Sequence, residues 1–191
     1  MKLILDNFYD DPDRLRELAL SLEYSSRAKN LPAQRSTRSV IPEEASQAFR
    51  SILQLDLGGP ENKIPYNGCF QLMRAVDSKR GYVHADQSAT WAALVYLSEK
   101  TEPRGGTSFF RHNATGLSRL PDSGSLKPGE LEKLKAMFRA DRAKPSKWTE
   151  IDRIGFVYNR FVLYDAQLFH RNGKTWGSSV RNGRLTHNFF I

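Results

Sequence analysis

The stretch GYVHADQSATWAALVYLSE, residues 81–99, places a histidine and an aspartate two positions apart, just before a long apolar run. The aromatic and β-branched residues around this pair are typical of β-strands. Residues two apart on a strand project from the same face, so His84 and Asp86 point the same way and Ala85 points to the other face. An imidazole nitrogen and a carboxylate oxygen side by side are two ligands for a divalent metal ion.

A third metal ligand is needed, and the sequence has three other histidines: His112, His170 and His187. His170 follows an apolar strand and has Phe169 before it, so we expect it to point into a barrel. Two imidazoles and one carboxylate leave open coordination positions, which suits non-haem Fe(II) oxygenases. The structural alternative is a His84–Asp86 hydrogen bond together with a histidine that is satisfied in the core.

The last segment, GRLTHNFFI at residues 183–191, reads as a terminal strand. By alternation Arg184 and Thr186 share one face. The other face takes Leu185, His187 and Phe189. An arginine inside a barrel needs an anionic partner, and its guanidinium group matches a carboxylate. The alternative is a half-exposed arginine at a strand end that pairs with a surface acid.

Composition sets the broad class. The chain has 191 residues, 39% of them hydrophobic, and a single cysteine, which excludes an intramolecular disulfide and a cysteine-rich zinc site. The net charge of +8 is spread along the chain without a block of basic residues, so a basic surface explains it better than a nucleic-acid site does. The N-terminus lacks the apolar core of a signal peptide, and no run is long enough for a membrane helix. We therefore expect a cytoplasmic protein.

The first third of the chain is predicted to be helical. A short strand precedes a helix that begins near Asp11, with Pro12 in its first turn. Residues 27–45 are rich in Pro, Ser and Arg and predict a loop. A second helix is expected over residues 43–55, and GGPENK ends it at residues 58–63.

From residue 64 onward the pattern changes to short β-branched and aromatic runs between turns. Strands are predicted near residues 66–76, 80–86, 90–98, 105–110, 153–158, 161–165, 167–171 and 184–191. Residues 113–148 form an insertion, with an amphipathic helix in ELEKLKAMFRADRAK. We expect one domain over 1–191, with helical support over 1–63 and the β-core over 64–191. The fold class is mainly β with flanking helices (α+β), a sandwich or barrel.

The ordered set His84-x-Asp86, His170 and Arg184-x-Thr186 resembles the Fe(II)/2-oxoglutarate-dependent oxygenase superfamily, in particular its prolyl-hydroxylase-like members. AALVYLSEKTEPRGGTSFF is similar to the stretch after H-x-D in those enzymes, although Ser98 stands where Asn is usual. DNFYDDPDRLRELAL and the RS of LPAQRSTRS also resemble a small group of short oxygenases in this superfamily.

The resemblance implies a double-stranded β-helix, that is, a jelly roll. It implies that His84, Asp86 and His170 are the catalytic metal ligands and bind Fe(II). The cofactors implied are Fe(II), the co-substrate 2-oxoglutarate and O₂. The reaction implied is hydroxylation of an unactivated C–H bond, with release of succinate and CO₂.

The resemblance further implies that the far carboxylate of 2-oxoglutarate reaches Arg184, with help from Thr186 and Tyr96. Arg184 follows the distal histidine at a longer spacing than in many of these enzymes. Arg181 is an alternative anchor, but it lies in a Gly/Asn turn rather than in a strand, so Arg184 is preferred.

Three rival functions stay open at this point. A nucleic-acid demethylase of the same superfamily fits the basic charge, but its second arginine, six positions after the anchor, is replaced here by Phe190. A cupin-like jelly roll would bind metal without 2-oxoglutarate. A protein-binding β-sandwich would ignore metal altogether.

The expected substrate is a small molecule, an amino acid or a peptide, and neither nucleic acid nor a membrane is an expected partner. The candidate substrate-binding residues are Arg74, Trp91 and Arg104. Further rim candidates are Tyr66, Arg111, Trp148 and Trp176. The segment 113–148 is placed where a lid could close over the site.

Overall fold

A computed structural model describes residues 1–25, 33–54, 57, 64–99 and 102–191. The predicted end of the second helix at GGPENK lies outside these residues. Within them there are three α-helices, namely α1 (Pro12–Ser21), α2 (Glu43–Leu53) and α3 (Glu130–Asp141). The strands of this part of the chain are β1 (Lys2–Leu5), β2 (Tyr24–Ser25), β3 (Gln34–Ser39), β4 (Cys69–Met73), β5 (Trp91–Tyr96), β6 (Glu102–His112), β7 (Trp148–Phe156), β8 (Phe161–Asp165), β9 (His170–Asn172) and β10 (Arg184–Phe190).

The strands form two antiparallel sheets that face each other. The larger sheet has the order β1-β8-β5-β10-β4-β3-β2, and the smaller has the order β7-β6-β9. An isolated bridge between His84 and His170 extends the smaller sheet beyond β9. Strands that alternate between two facing sheets in this way make a jelly roll, so the predicted fold class is confirmed.

The two faces of the larger sheet bury different sets of side chains. One face packs on α1 and α2, where Ala19 and Phe49 meet Leu185 and Phe189. The other face packs on the smaller sheet through a second apolar cluster. That cluster includes Leu94, Tyr96, Phe109, Phe156 and Val162. Helix α1 begins as predicted, because the Asp11 side chain accepts a hydrogen bond from the backbone N–H of Arg14.

One predicted loop contains a strand. The prediction of a loop over residues 27–45 is wrong for β3, which pairs with β4 in the larger sheet. Its sequence, QRSTRS, has no apolar alternation, so the pattern gave no strand signal. Pairing with the fully buried β4 determines its conformation instead. Residues 26–32 lie outside the described residues.

One predicted strand is largely absent. Residues 75–80 form a 3₁₀ helix, and between them and β5 only His84 joins the sheet, through its bridge to His170. The prediction of a strand over 80–86 is therefore wrong except at this bridge. The apolar residues of this segment are buried, as Val83 is in the cluster around Phe138, but their backbone does not pair in a continuous ladder. The apolar pattern therefore reported burial rather than a strand.

The predicted insertion is partly sheet. Helix α3 is present, and its Phe138 is buried against Trp148 and Phe169 on the outer side of the smaller sheet. Strand β7 begins at Trp148, five residues before the start predicted for it. Within the described chain, none of the helices has the length and apolar character that a membrane crossing requires.

Candidate metal centre

Three predicted ligands meet at one end of the jelly roll. His84 and Asp86 lie in the segment before β5, and His170 begins β9. His170 Nε2 is 3.4 Å from Asp86 Oδ2, and His84 Nε2 is 3.7 Å from Asp86 Oδ1. One ligand atom from each residue lies within 4.8 Å of the others, which is a spacing that a single metal ion can bridge.

Backbone contacts fix the orientation of both imidazoles. The backbone N–H of His84 donates to His170 O at 3.0 Å, and that of His170 donates to His84 O at 2.8 Å. His84 Nδ1 lies 3.2 Å from Tyr82 O, and His170 Nδ1 lies 2.9 Å from Leu168 O. A carbonyl oxygen only accepts, so each Nδ1 is the protonated nitrogen. Each Nε2 is thereby directed at the cluster, as in histidines that ligate metals.

The three groups also shift one another's protonation. Burial raises the pKa of Asp86, but the charges of His170 and His84 and the hydrogen bond from His170 outweigh it and bring the pKa to about 2. Burial and the neighbouring His170 lower the pKa of His84 to about 4. Burial lowers the pKa of His170, but Asp86 reverses this and raises it. The Asp86 carboxylate thus stays negatively charged and attracts a cation, which is either a proton on His170 or a metal ion.

Arg184 is fully buried between the two sheets. Its Nε donates to Gly105 O at 2.7 Å and its Nη2 to Gly106 O at 3.3 Å, while its buried Nη1 has no hydrogen-bond partner. A Cβ at Gly106 would lie 1.7 Å from Ile154 O, so only glycine lets the chain pass here. Because backbone carbonyls rather than an acid hold the guanidinium, its full positive charge remains available to an anion.

Tyr96 and Thr186 lie next to Arg184, as alternation predicts. The Arg184 guanidinium is 5.5 Å from the centre of the Tyr96 ring. The Tyr96 hydroxyl and Thr107 Oγ1 are 2.9 Å apart, and Thr186 Oγ1 donates to Asn188 Oδ1 at 2.7 Å. Burial raises the pKa of Tyr96, so its phenol stays protonated and can donate a hydrogen bond. A carboxylate beside Arg184 would therefore meet one cation and the Tyr96 phenol, whereas the Thr186 hydroxyl already donates its proton to Asn188.

The predicted substrate-binding residues lie elsewhere. Trp91 packs on the helix-covered face of the larger sheet, opposite the metal cluster, and does not line the metal cavity, so its role in substrate binding stays a prediction. Arg74 caps the 3₁₀ helix, with its Nε 4.0 Å from Asp77, and does not line the metal cavity. Arg104 lines a separate, more exposed cavity and has its Nε 3.6 Å from Glu102. Neither residue lines the cavity beside the cluster, and their part in substrate binding stays a prediction.

The contacts of the remaining rim candidates and of the alternative anchor show where these side chains lie. Trp148 is buried and donates its indole N–H to Asp141 O, so it belongs to the core under α3. Trp176 packs edge-on against Phe156, with ring centres 4.9 Å apart. Arg111 is exposed. Arg181, the alternative anchor, has a side chain that is 72% exposed and lies near Glu17, outside the barrel.

A cavity adjoins the cluster, and sequence reasoning missed several of its polar side chains. They are Arg35, Gln71, Asn172 and Asn188. Arg35 belongs to the RS pair already noted in LPAQRSTRS, but its strand was read as a loop, so no face could be assigned to it. Asn188 shares a face with Arg184 and Thr186, and alternation along β10 could have found it.

Solved structures with this architecture bind a metal and 2-oxoglutarate. HygX from Streptomyces hygroscopicus, with nickel and 2-oxoglutarate bound, matches with a TM-score of 0.51 at 15% identity, over 98% of this chain and 80% of HygX. The same protein with hygromycin B also bound gives 0.50 at 16% identity over the same shares. A prolyl-4-hydroxylase from Pseudomonas putida gives 0.48 at 14% identity, over 99% and 91%. The chain thus has the jelly-roll fold of HygX, as the resemblance implied for the fold.

The family itself is defined by sequence. A model of DUF6445, a family of unknown function, matches residues 2–191, so the chain belongs to that family. No curated protein matches the sequence.

Proposed function

We propose that this protein is an Fe(II)- and 2-oxoglutarate-dependent dioxygenase. It hydroxylates an unactivated C–H bond of a small molecule, an amino acid or a peptide. One oxygen atom of O₂ enters the product, and the other enters succinate as 2-oxoglutarate loses CO₂. The observation behind the proposal is the convergence of His84, Asp86 and His170, with both Nε2 atoms directed at one point.

The donor set fits Fe(II). Two neutral imidazoles and one carboxylate match the facial triad of non-haem Fe(II) enzymes, which leaves coordination positions for other ligands. The carbonyls of Tyr82 and Leu168 keep the imidazoles in the ligating tautomer. When bound, Fe(II) with 2-oxoglutarate and O₂ supplies the oxidising chemistry.

The chain's own residues then have defined tasks. Asp86 neutralises part of the metal charge, because its pKa of about 2 keeps it ionised at any physiological pH. Arg184 offers its unpaired Nη1 to the far carboxylate of 2-oxoglutarate, and the Tyr96 phenol donates a hydrogen bond beside it. Leu94 and Tyr164 form part of the cavity wall and limit the access of water.

An anaerobic titration tests this function. Metal-free protein receives Fe(II) and then 2-oxoglutarate, and the weak visible charge-transfer band of the chelate is followed. We expect the band in the native protein, its loss in His170→Ala, and its retention in His187→Gln, a matched histidine outside the cluster. Fe(II) binding without the band would favour a metal-binding jelly roll that does not use 2-oxoglutarate. No Fe(II) binding at all would refute the proposal.

A further inference from the structure

Arg35 is a second cation in the wall of the metal cavity. It lies on β3, opposite Gln71 of β4, and both side chains line the cavity. Its guanidinium stacks 4.7 Å from the centre of the Tyr66 ring and 5.7 Å from that of Phe190. Two aromatic rings therefore hold the guanidinium plane in place without using its hydrogen-bond donors.

The donors of Arg35 are incompletely used. Its Nη1 is buried and has no hydrogen-bond partner, and no acid of the described ranges lies within 4.0 Å of it. Burial lowers the pKa of Arg35, and the charge of Asp86 is the largest opposing influence. Asp86, however, is already placed between the two histidines. A buried cation without an acid of its own indicates a ligand that provides the negative charge.

The described chain has two such groups, one in the wall of the metal cavity and one between the two sheets beside Tyr96. Arg35 and Arg184 are the guanidiniums in this part of the protein that leave a terminal nitrogen buried and unpaired, since the other unpaired arginine atoms there are Nε. A single 2-oxoglutarate has one carboxylate at the metal and one at Arg184. Arg35 is then left for a different molecule.

Charge balance indicates what this molecule is. A divalent metal, Arg35 and Arg184 together outweigh Asp86 and the 2-oxoglutarate dianion by one positive charge. A monoanionic carboxylate neutralises that excess, whereas a phosphate dianion would reverse it. The amides of Gln71, Asn172 and Asn188 offer neutral hydrogen bonds to the remainder of a small polar molecule.

An entry route ends at this arginine. A second cavity shares Arg35, Gln71, His84 and Asn172 with the metal cavity and continues past Arg171. A third, larger cavity also includes Arg171 and is lined by further basic side chains. These are Arg104, Arg153 and Lys174. Acids offset most of this charge, since Arg153 pairs with Glu150, Arg104 and Lys174 flank Glu102, and Asp77 also lines the third cavity. Arg171, which has no acid of the described residues within 4.0 Å, is the cation that favours the approach of an anion towards Arg35.

We propose, on the basis of the proposed function, that Arg35 binds the carboxylate of the primary substrate, which is a small carboxylate-bearing molecule of the amino-acid type. Arg35 thereby determines specificity and places the substrate's C–H bonds beside the metal. Arg184 has the separate task of binding the co-substrate.

Acetate serves as a probe of this site without knowledge of the substrate. The protein is loaded with Mn(II) and saturating 2-oxoglutarate, and the paramagnetic relaxation of the acetate methyl protons is measured by NMR. We expect a saturable enhancement whose affinity falls by about tenfold or more in Arg35→Met, because a buried charge-assisted hydrogen bond is lost. Arg35→Lys should retain part of it, and Arg38→Met, which changes an exposed arginine of the same strand, should leave it unchanged.

Binding of 2-oxoglutarate to the same Mn(II)-loaded variants, measured by calorimetry, gives the second readout. We expect its affinity to stay within about threefold in Arg35→Met, since an unengaged residue contributes little to binding. This also shows that the variant is folded. The inference is overturned if acetate gives no enhancement in the native protein, or the same enhancement in Arg35→Met. It is also overturned if Arg35→Met loses 2-oxoglutarate while Arg184→Met does not. Failure of Mn(II) to bind would instead refute the proposed function, on which the inference rests.

Discussion

The two faces of strand β10 differ in whether their buried polar groups have hydrogen-bond partners. On the helix-covered face, His187 is buried with every ring nitrogen partnered: Nδ1 lies 2.9 Å from the Tyr9 hydroxyl, and Nε2 lies 3.0 Å from Val40 O. The carbonyl requires a donor, so Nε2 is protonated and Nδ1 accepts from Tyr9. On the opposite face, Arg184 is equally buried but has an unpaired Nη1.

This difference separates the part of the sheet that stabilises the fold from the part to which the proposed function assigns ligand binding. Buried polar groups in native proteins are nearly always hydrogen-bonded, so an unpaired one needs an explanation. Both ring nitrogens of His187 find their partners within the chain. Arg184 and Arg35 each keep an Nη1 without a hydrogen-bond partner, and both lie on the side of the sheet that faces the metal cluster.

The largest effect is expected from Asp86→Ala, which removes the carboxylate of the cluster. Even changes to residues behind metal ligands cost about 10- to 100-fold in affinity, so we expect metal affinity to fall by more than about 100-fold. Turnover of 2-oxoglutarate, measured as succinate release, should become undetectable. Asp141→Ala, which alters the remote His112–Asp141 pair, is the matched control. Native-level turnover in Asp86→Ala would show that Asp86 is not a ligand.

The next effect tests the unpaired guanidinium directly. Truncating one partner of a buried charge pair costs about 2–5 kcal/mol, so Arg184→Met should weaken 2-oxoglutarate binding by roughly 30-fold or more. Metal affinity in the absence of 2-oxoglutarate should stay the same, because Arg184 does not contact the ligand histidines. Arg181→Met, on the exposed turn, is the control. Equal losses in the two variants would remove the distinction between these arginines.

Changes on the helix-covered face of β10, where His187 lies, should alter stability rather than ligand binding. Burial lowers the pKa of His187 to about 4 from 6.5, so the unfolded chain takes up the proton first as the pH falls. Keeping His187 neutral in the folded state therefore contributes about 3 kcal/mol to the free energy of unfolding. This contribution is complete above pH 6.5 and is lost as the pH falls towards 4. Urea unfolding of the metal-free protein and of His187→Gln measures this. The two curves should differ in pH dependence within that window, and parallel curves would contradict the assignment.

The smallest effect is expected from Tyr9→Phe. It leaves His187 Nδ1 buried without a donor, which costs about 1–3 kcal/mol of stability. Affinity for metal and for 2-oxoglutarate should not change, because Tyr9 lies on the helix-covered face. Thermal unfolding together with the same binding titrations checks both statements. A change in 2-oxoglutarate affinity would mean that the two faces are coupled.

Alternation accounts for most of what the sequence could predict at the site. It assigned Arg184 and Thr186 to one face of β10 and Leu185, His187 and Phe189 to the other, as observed. The same rule excludes Trp91 as a neighbour of Tyr96, since five positions along β5 reverse the face. Applying this parity to the sequence would have placed Trp91 on the helix-covered face, where the structure has it.

Arg35 could not be found in this way. Its strand has the polar sequence QRSTRS and exists because its backbone pairs with β4. No local pattern contains that long-range information, which is the usual reason that strand prediction fails. His84 was predicted as a ligand from the H-x-D spacing, but the strand assumed there is present only as its bridge to His170, a contact between segments far apart in the chain.

That bridge gives a metal ion a mechanical role as well. An ion held by His84 and His170 is a reversible cross-link between two distant segments, which the reciprocal backbone hydrogen bonds of the two histidines and the bond from Asp86 N–H to Ala166 O also join. Binding to the folded form alone adds RT ln(1 + [M]/Kd) to its stability, about 2.7 kcal/mol at 100 times Kd. Chelation would then loosen this end of the barrel, so the iron supply would influence how long the protein survives proteolysis.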